Sequence, residues 1–338
     1  MAAITDLYFK AAVPTNKGTN LPILAFMHGW NQAASSAPEV DILRIANFGF
    51  CVLSIGMRGR DEAEGTIDAS AREIYDIIDA VDYVRTHAPY SHWVSQTKAA
   101  IVGYSGGGGN ALAAACKFPD FFTVAISHFG MSDLGRNNPD GWYYNNGAGS
   151  YTASIATRVG GVPGDVPNNY YARDATAAIQ NFTGGYLYLY HDKGDAAVPW
   201  VHSDRIKAAM DAAGLTNYSA NFSETTDALR WTHGYPSDHP GTLSTAEATW
   251  AAKIHELEPW TIPATGTVTV IGYIVTKRFS IWLNSGLDAA ATVVYDTSAG
   301  TYTVTPLTSA DVTVAITQGA LTASGTAPAG GPTLFTVS

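Results

Sequence analysis

The chain has 338 residues, 46% of them hydrophobic and 14% charged, with a formal net charge of -10. That composition supplies one large core plus a smaller one and excludes a disordered chain. No basic run offers phosphates a surface, so neither a nucleic acid nor an anionic membrane is expected as a partner.

The N-terminal MAAITDLYFKAAVP lacks a basic start and an apolar core segment, and no apolar run reaches the ~18 residues of a membrane span. Strand-like and helix-like segments then alternate through the first three quarters, the pattern of an α/β fold. Leu21–Gly29 and Gly49–Gly56 are continuous apolar runs of the kind buried strands show, separated by a helix-length stretch near 37–47. ASAREIYDIIDAVDYVRTH places Ile74, Ile77, Ile78, Val81 and Val84 at helical spacing, so one face should pack on the sheet. The two cysteines, Cys51 in GFCVLSI and Cys116 in LAAACKF, read as small buried hydrophobes with no disulfide framework and no metal spacing.

AAIVGYSGGGGNALAAACKF, residues 99–118, joins a strand to a helix through a serine and four glycines. Glycine costs order, about 0.5–1 kcal/mol per site relative to alanine inside a helix, so the run needs a reason. A dinucleotide fingerprint fails because its last glycine would fall on Ala111, and a P-loop fails for want of Gly-Lys-Ser/Thr. Gly103-Tyr104-Ser105-Gly106-Gly107 instead spells G-x-S-x-G, in which a serine sits on a strained turn and small residues on either side let strand and helix backbones pass closely. Ser105 is the predicted nucleophile.

TVAISHFG, GYLYLYHD and a helix beginning near Trp200 continue the alternation to about Leu257 and bound a first domain at 1–258. Within it, 131–184 breaks into Asn-, Gly-, Pro- and Tyr-rich sequence that reads as a cap-like insertion over the active site. Its Trp142, Tyr143 and Tyr144 either wall a substrate site or anchor the insertion to the body. After EPWTIPATG, residues 261–338 alternate Thr and Val in short runs, TVTVIGYIV through DVTVAIT, as in a small antiparallel sandwich. With Lys277, Arg278, Asp288, Asp296 and Asp311 as its charged residues, this module is expected to pack a face on the first domain or on a second copy of the chain.

A serine hydroxyl needs a base to take its proton and a carboxylate to orient that base. Asp195, in HDKGDAAVPW, follows a strand end and precedes a helix, as the acid should; Asp192 is its rival. Downstream, LRWTHGYPSDHPG offers His233, backed by Gly234, and the weaker His239 before Pro240. His191 and His202 read as bystanders, and no spacing suits zinc. MHGW at an apolar strand end supplies an oxyanion hole, with the backbone N–H groups of Trp30 and Gly106 as the two donors.

MHGW, MRGRDEAEG, SQTKAAIVGYSGGG, GGVPGDVPNNYYARDATAAI, HDKGDAAVP and THGY, spread in order over Leu21 to Leu257, resemble the α/β-hydrolase superfamily, and most of all its prolyl-oligopeptidase and acetyl-xylan-esterase-like catalytic domains. The resemblance implies an α/β-hydrolase fold, a mostly parallel sheet with helices on both faces, and triad roles for Ser105, Asp195 and His233. It also implies chemistry with no cofactor and no metal. About twenty residues precede the first matching strand, so the β-propeller of the oligopeptidases has no room there and the small β module follows the catalytic domain instead. The expectation is therefore a serine carboxylester hydrolase acting on a small-molecule or polymer-borne ester, such as an acetylated carbohydrate. A peptidase of the same fold and a non-catalytic surface or virion protein are the alternatives.

Overall fold

The computed structural model describes residues 7–16, 18–61, 63–227, 233–234 and 240–338. The body is a seven-stranded sheet formed by β1 (Tyr8–Ala12), β2 (Leu21–Met27), β3 (Cys51–Gly56), β4 (Val94–Tyr104), β5 (Val124–His128), β6 (Tyr186–Asp192) and β7 (Tyr218–Ser223). Its order is β1-β3-β2-β4-β5-β6-β7. β1 runs antiparallel to β3, and the remaining strands pair in parallel. Between them lie α1 (Glu39–Ala46), α2 (Glu73–Thr86), α3 (Gly106–Lys117), α4 (Trp142–Asn145), α5 (Thr152–Val159), α6 (Pro167–Tyr171), α7 (Val201–Ala212) and α8 (Pro240–Glu256).

β2, β3 and β5 are buried along their whole length because both faces of the sheet are covered. Alternate residues of β2 divide between two cores: Ile23, Ala25 and Met27 meet α2 and α3, while Leu24 and Phe26 meet α1 and α8. This is the α/β-hydrolase arrangement. The helix-spaced isoleucines and valines of α2 lie in the first of these cores, as their period requires.

The insertion is less irregular than its composition suggests. It holds three short helices, α4 to α6, around a separate core in which Trp142, Ile155, Val159 and Tyr170 surround Trp30. Helices this short have little stability of their own, so no run of periodic residues announces them; tertiary packing of the aromatics makes them. The end of the segment, Ala175, Ala178, Ile179 and Phe182, joins the main core.

After α8 the chain forms β8 (Thr265–Ile271), β9 (Tyr273–Val275), β10 (Ser280–Leu283), β11 (Ala290–Asp296), β12 (Thr301–Pro306), β13 (Val312–Gln318), β14 (Leu321–Ala327) and β15 (Thr333–Thr336). They make one antiparallel sheet ordered β14-β13-β10-β9-β8-β11-β12-β15. The sheet rolls over its own core until Thr322 on β14 and Ser338 beyond β15 exchange backbone hydrogen bonds at 3.2 and 3.3 Å. The module is thus a small antiparallel β roll, as the sandwich-like pattern implied, with its outermost segments hydrogen-bonded to each other so that they are less open to pairing with another chain.

This roll docks on the body at the C-terminal end of α3. Tyr273 is fully buried there, stacked on Trp282 at 4.4 Å, edge-on to Phe118 at 5.8 Å, with its hydroxyl donating to Ala71 O at 3.0 Å. Lys117 ends its ammonium under the Tyr273 ring and donates to Ala172 O and Ile271 O; burial, then the Arg173 charge, pushes its pKa down to about 7. Asn181 exchanges hydrogen bonds with the Thr269 backbone at 2.8 and 2.9 Å. Tyr273→Ala should cost about 3–5 kcal/mol by emptying this site, a fall of roughly 10 °C in unfolding temperature, with kcat on a small ester unchanged. An unaltered melting curve would mean that the roll contributes nothing to the stability of the body.

Candidate active site

Ser105 sits between β4 and α3 with φ 56° and ψ -119°, a conformation that costs a non-glycine residue about 1–3 kcal/mol and lifts its side chain above the sheet. The glycines make room for this turn. A Cβ on Gly103 would overlap the Gly107 carbonyl, and one on Gly106 would overlap the Trp30 backbone nitrogen. Similar clashes, with Met27 O from Gly107 and with His128 O from Gly108, show why the run continues: the first turn of α3 lies against the ends of β2 and β5.

The structure brings Ser105, His233 and Asp195 together. Ser105 Oγ lies 3.0 Å from His233 Nε2, and His233 Nδ1 lies 2.8 Å from Asp195 Oδ2. Asp195 is almost wholly buried, and its Oδ1 accepts the N–H groups of Ala197 at 2.8 Å and Val198 at 3.1 Å. Burial opposes its ionisation, but the imidazoles of His191 and His233 and the Val198 N–H outweigh that cost and hold the carboxyl well below the usual carboxylate range. A charged carboxylate on Nδ1 keeps the His233 proton on that nitrogen and leaves Nε2 free to accept from Ser105.

The rivals are placed elsewhere. Asp192 accepts from Gly194 N at 2.7 Å and from Ser223 Oγ at 2.9 Å, so it shapes the turn after β6. His191 spends its nitrogens on Ser203 Oγ and Val198 O, both at 2.7 Å, and His202 meets Ser132 and Asn145. His239 lies outside the described residues.

The Trp30 backbone nitrogen lies against Gly106, the residue after Ser105, and among the described residues neither the Trp30 nor the Gly106 N–H donates to a protein acceptor. The peptide carrying the Trp30 N–H is oriented through its carbonyl, Gly29 O, which accepts from Gln32 N at 3.1 Å and from His28 Nδ1 at 2.9 Å. A trans peptide sends its N–H opposite to its C=O, so fixing Gly29 O fixes the direction of the Trp30 N–H. Burial, reinforced by the Arg60 charge, pushes the His28 pKa down to about 4, so at neutral pH it serves here as a neutral donor.

A cavity of about 360 Å³ opens onto Ser105, lined by Gly29, Trp30, Asn31, Gln32, Tyr104, Phe129, Tyr151, His233 and Gly234. Of the two readings of Trp142, Tyr143 and Tyr144, Trp142 takes the anchoring one: it is fully buried behind Tyr151 and Trp30, which line the cavity, stacked on Tyr151 at 4.9 Å and edge-on to Trp30 at 5.0 Å. Tyr143 packs on Tyr170, and Tyr144 faces solvent. Sequence reasoning also missed Phe129, whose φ of 42° at the end of β5 sets its ring 4.7 Å from the His233 ring. No sequence signal marks that bend except its place at a strand end beside Gly130.

Residues 5–238 match the family model described as X-Pro dipeptidyl-peptidase (S15 family). A puromycin-hydrolyzing peptidase of Mycobacterium tuberculosis superposes with a TM-score of 0.61 at 20% identity, over 76% of this chain and 38% of its own. The acylaminoacyl peptidase of Pyrococcus horikoshii gives 0.59 at 17%, over 76% and 41%. Esterase B of Lactobacillus Rhamnosis gives 0.55 at 14%, over 74% and 85%. The chain thus spans about two fifths of the length of the two peptidases. A search of the curated proteins returned no match.

Proposed function

The chain belongs to the X-Pro dipeptidyl-peptidase (S15) family, serine hydrolases on an α/β-hydrolase fold, and from that premise we propose that it cleaves neutral carboxylic esters, with Ser105, His233 and Asp195 as its triad. The observation that carries the ester reading is the lining of the cavity: aromatic rings, amides and backbone, with no carboxylate among the described residues. A dipeptidyl-peptidase must accept the ammonium of its substrate's free N-terminus, and burying an unpaired charge is costly. The charged groups that touch the wall directly have the wrong sign, since Arg60 and Arg158 both hydrogen-bond to Trp30 O. An uncharged acyl group and a neutral, hydroxyl-bearing alcohol suit rings flanked by Asn31 and Gln32, and an acetylated carbohydrate has both.

In this reading Ser105 Oγ attacks the ester carbonyl while His233 Nε2 takes its proton, and Asp195 stabilises the resulting imidazolium. The carbonyl oxygen becomes an oxyanion facing the N–H groups of Trp30 and Gly106, each donor worth roughly 2.7–4 kcal/mol. As the tetrahedral intermediate collapses, the C–O bond to the alcohol breaks and His233 returns the proton to the leaving oxygen. Water then repeats the sequence on the acyl-enzyme, releasing the acid and restoring Ser105.

The test compares kcat/KM for p-nitrophenyl acetate, butyrate and octanoate, an acetylated xylo-oligosaccharide and glycyl-prolyl-p-nitroanilide. Turnover of the short esters with none of the dipeptidyl amide is the expected result. Efficient cleavage of the amide with poor ester turnover would establish the peptidase instead.

A further inference from the structure

The loop that presents the Trp30 N–H is gripped from the insertion. The Trp30 indole Nε1 donates to Ser154 Oγ on α5 at 3.0 Å. One turn further along α5, Arg158 Nη1 donates to Trp30 O at 2.8 Å and Nη2 to Asn31 Oδ1 at 2.9 Å. Its guanidinium carbon lies 4.5 Å from the centre of the Trp30 ring, and Trp142 supports that ring from its edge. From the body, Arg60 Nη1 donates to Trp30 O at 2.9 Å and to Gln32 O at 2.8 Å.

These contacts act on a short span. Gly29 O is fixed by Gln32 and His28, and Trp30 O by two guanidiniums, so the carbonyls on both sides of the Trp30 Cα are tied. With planar peptides, φ and ψ of Trp30 are the torsions left between those two carbonyls, and fixing both ends removes their freedom. The N–H in between is then held beside Gly106. Arg60 is nearly buried within the body, whereas Arg158 is half-buried and belongs to the insertion, reaching Trp30 across 128 positions of sequence. Ser154 and Trp142 hold the Trp30 side chain, and Arg158 is the residue through which the insertion acts on the Trp30 backbone carbonyl.

We propose that Arg158 is a positioning residue for the Trp30 N–H, and that the insertion works through it as a clamp on the oxyanion loop. The proposal rests on the reading of Ser105, Trp30 and Gly106 given above. A clamp of this kind matters when charge develops on the carbonyl oxygen and little when the ester first binds, because a donor a few tenths of an ångström out of line still contacts a neutral carbonyl but stabilises an oxyanion poorly. It also gives α5 a function independent of covering the substrate.

The experiment uses the full chain with Arg158→Met, Arg158→Lys and Arg158→Ala, measuring p-nitrophenyl acetate turnover and the rate of Ser105 modification by a fluorophosphonate. For R158M, kcat should fall about tenfold to a hundredfold, with KM within about twofold of wild type and the modification rate falling with kcat. R158K should recover part of the loss, and added guanidinium should restore part of the R158A activity, neither of which a purely structural role would give. Wild-type kcat and modification rate in R158M would overturn the clamp, as would a loss explained by a smaller folded, titratable fraction. Failure of the fluorophosphonate to label wild-type Ser105 would overturn the underlying reading of the site, which is a distinct result.

Discussion

Ser105→Ala is expected to reduce ester turnover by at least roughly 10⁴-fold and to abolish fluorophosphonate labelling, with the unfolding temperature close to that of the parent. The catalytic loss follows because Ser105 Oγ is the group that His233 Nε2 contacts, at 3.0 Å, and among the described residues no other serine or threonine lines the cavity. The fold should survive because the turn is secured by its backbone: Ser105 N donates to His128 O at 3.0 Å and Gly109 N to Ser105 O at 3.1 Å. Alanine carries the same Cβ and meets the same positive φ as serine, so the strain is unchanged. The residual rate should be that of an oxyanion hole without a nucleophile. Turnover of the variant at the parental rate, measured on enzyme shown by mass spectrometry to be free of wild-type protein, would remove Ser105 from the mechanism.

The nucleophile turn was readable because its requirement is steric and local. Each glycine from Gly106 to Gly109 stands where a Cβ would strike backbone or Met131, and a chain that tolerates four glycines in sequence is declaring such a constraint. The parallel strands were readable for a similar reason, since a strand covered on both faces must be apolar throughout. Residues whose importance lies in contacts distant in sequence were not readable. Arg158 looks like a surface arginine on a short helix until the fold sets it against Trp30, and Tyr151 looks no different from Tyr143 and Tyr144 until it stacks on Trp142 at the cavity. In the C-terminal roll, alternation of Thr and Val reveals which side chains point inward. It does not reveal that Thr322 and Ser338 will meet, because closure depends on the accumulated twist of eight strands.

Asp195→Asn and Asp192→Asn should separate by about three to four orders of magnitude in kcat, although the two residues lie three apart on one turn. At Asp195 the consequences of the amide follow from its partners. Oδ1 faces the N–H groups of Ala197 and Val198, so an asparagine must keep its carbonyl oxygen there and turn its NH₂ toward His233 Nδ1. That NH₂ can only donate, so His233 must carry its proton on Nε2, where it can no longer accept from Ser105. The variant also loses the charge that stabilises the imidazolium. Since Asp195 is held ionised well below the ordinary carboxylate range, its own protonation does not limit the parent enzyme at mildly acidic pH. At Asp192 an asparagine can keep its oxygen on Gly194 N–H and offer its NH₂ to Ser223 Oγ, which can accept as well as donate, so the turn is preserved. Its kcat should stay near that of the parent. Steady-state kinetics of the two variants on p-nitrophenyl acetate decide the assignment: a large loss in D192N with little change in D195N would move the acid to Asp192, despite the 2.8 Å contact between Asp195 and His233.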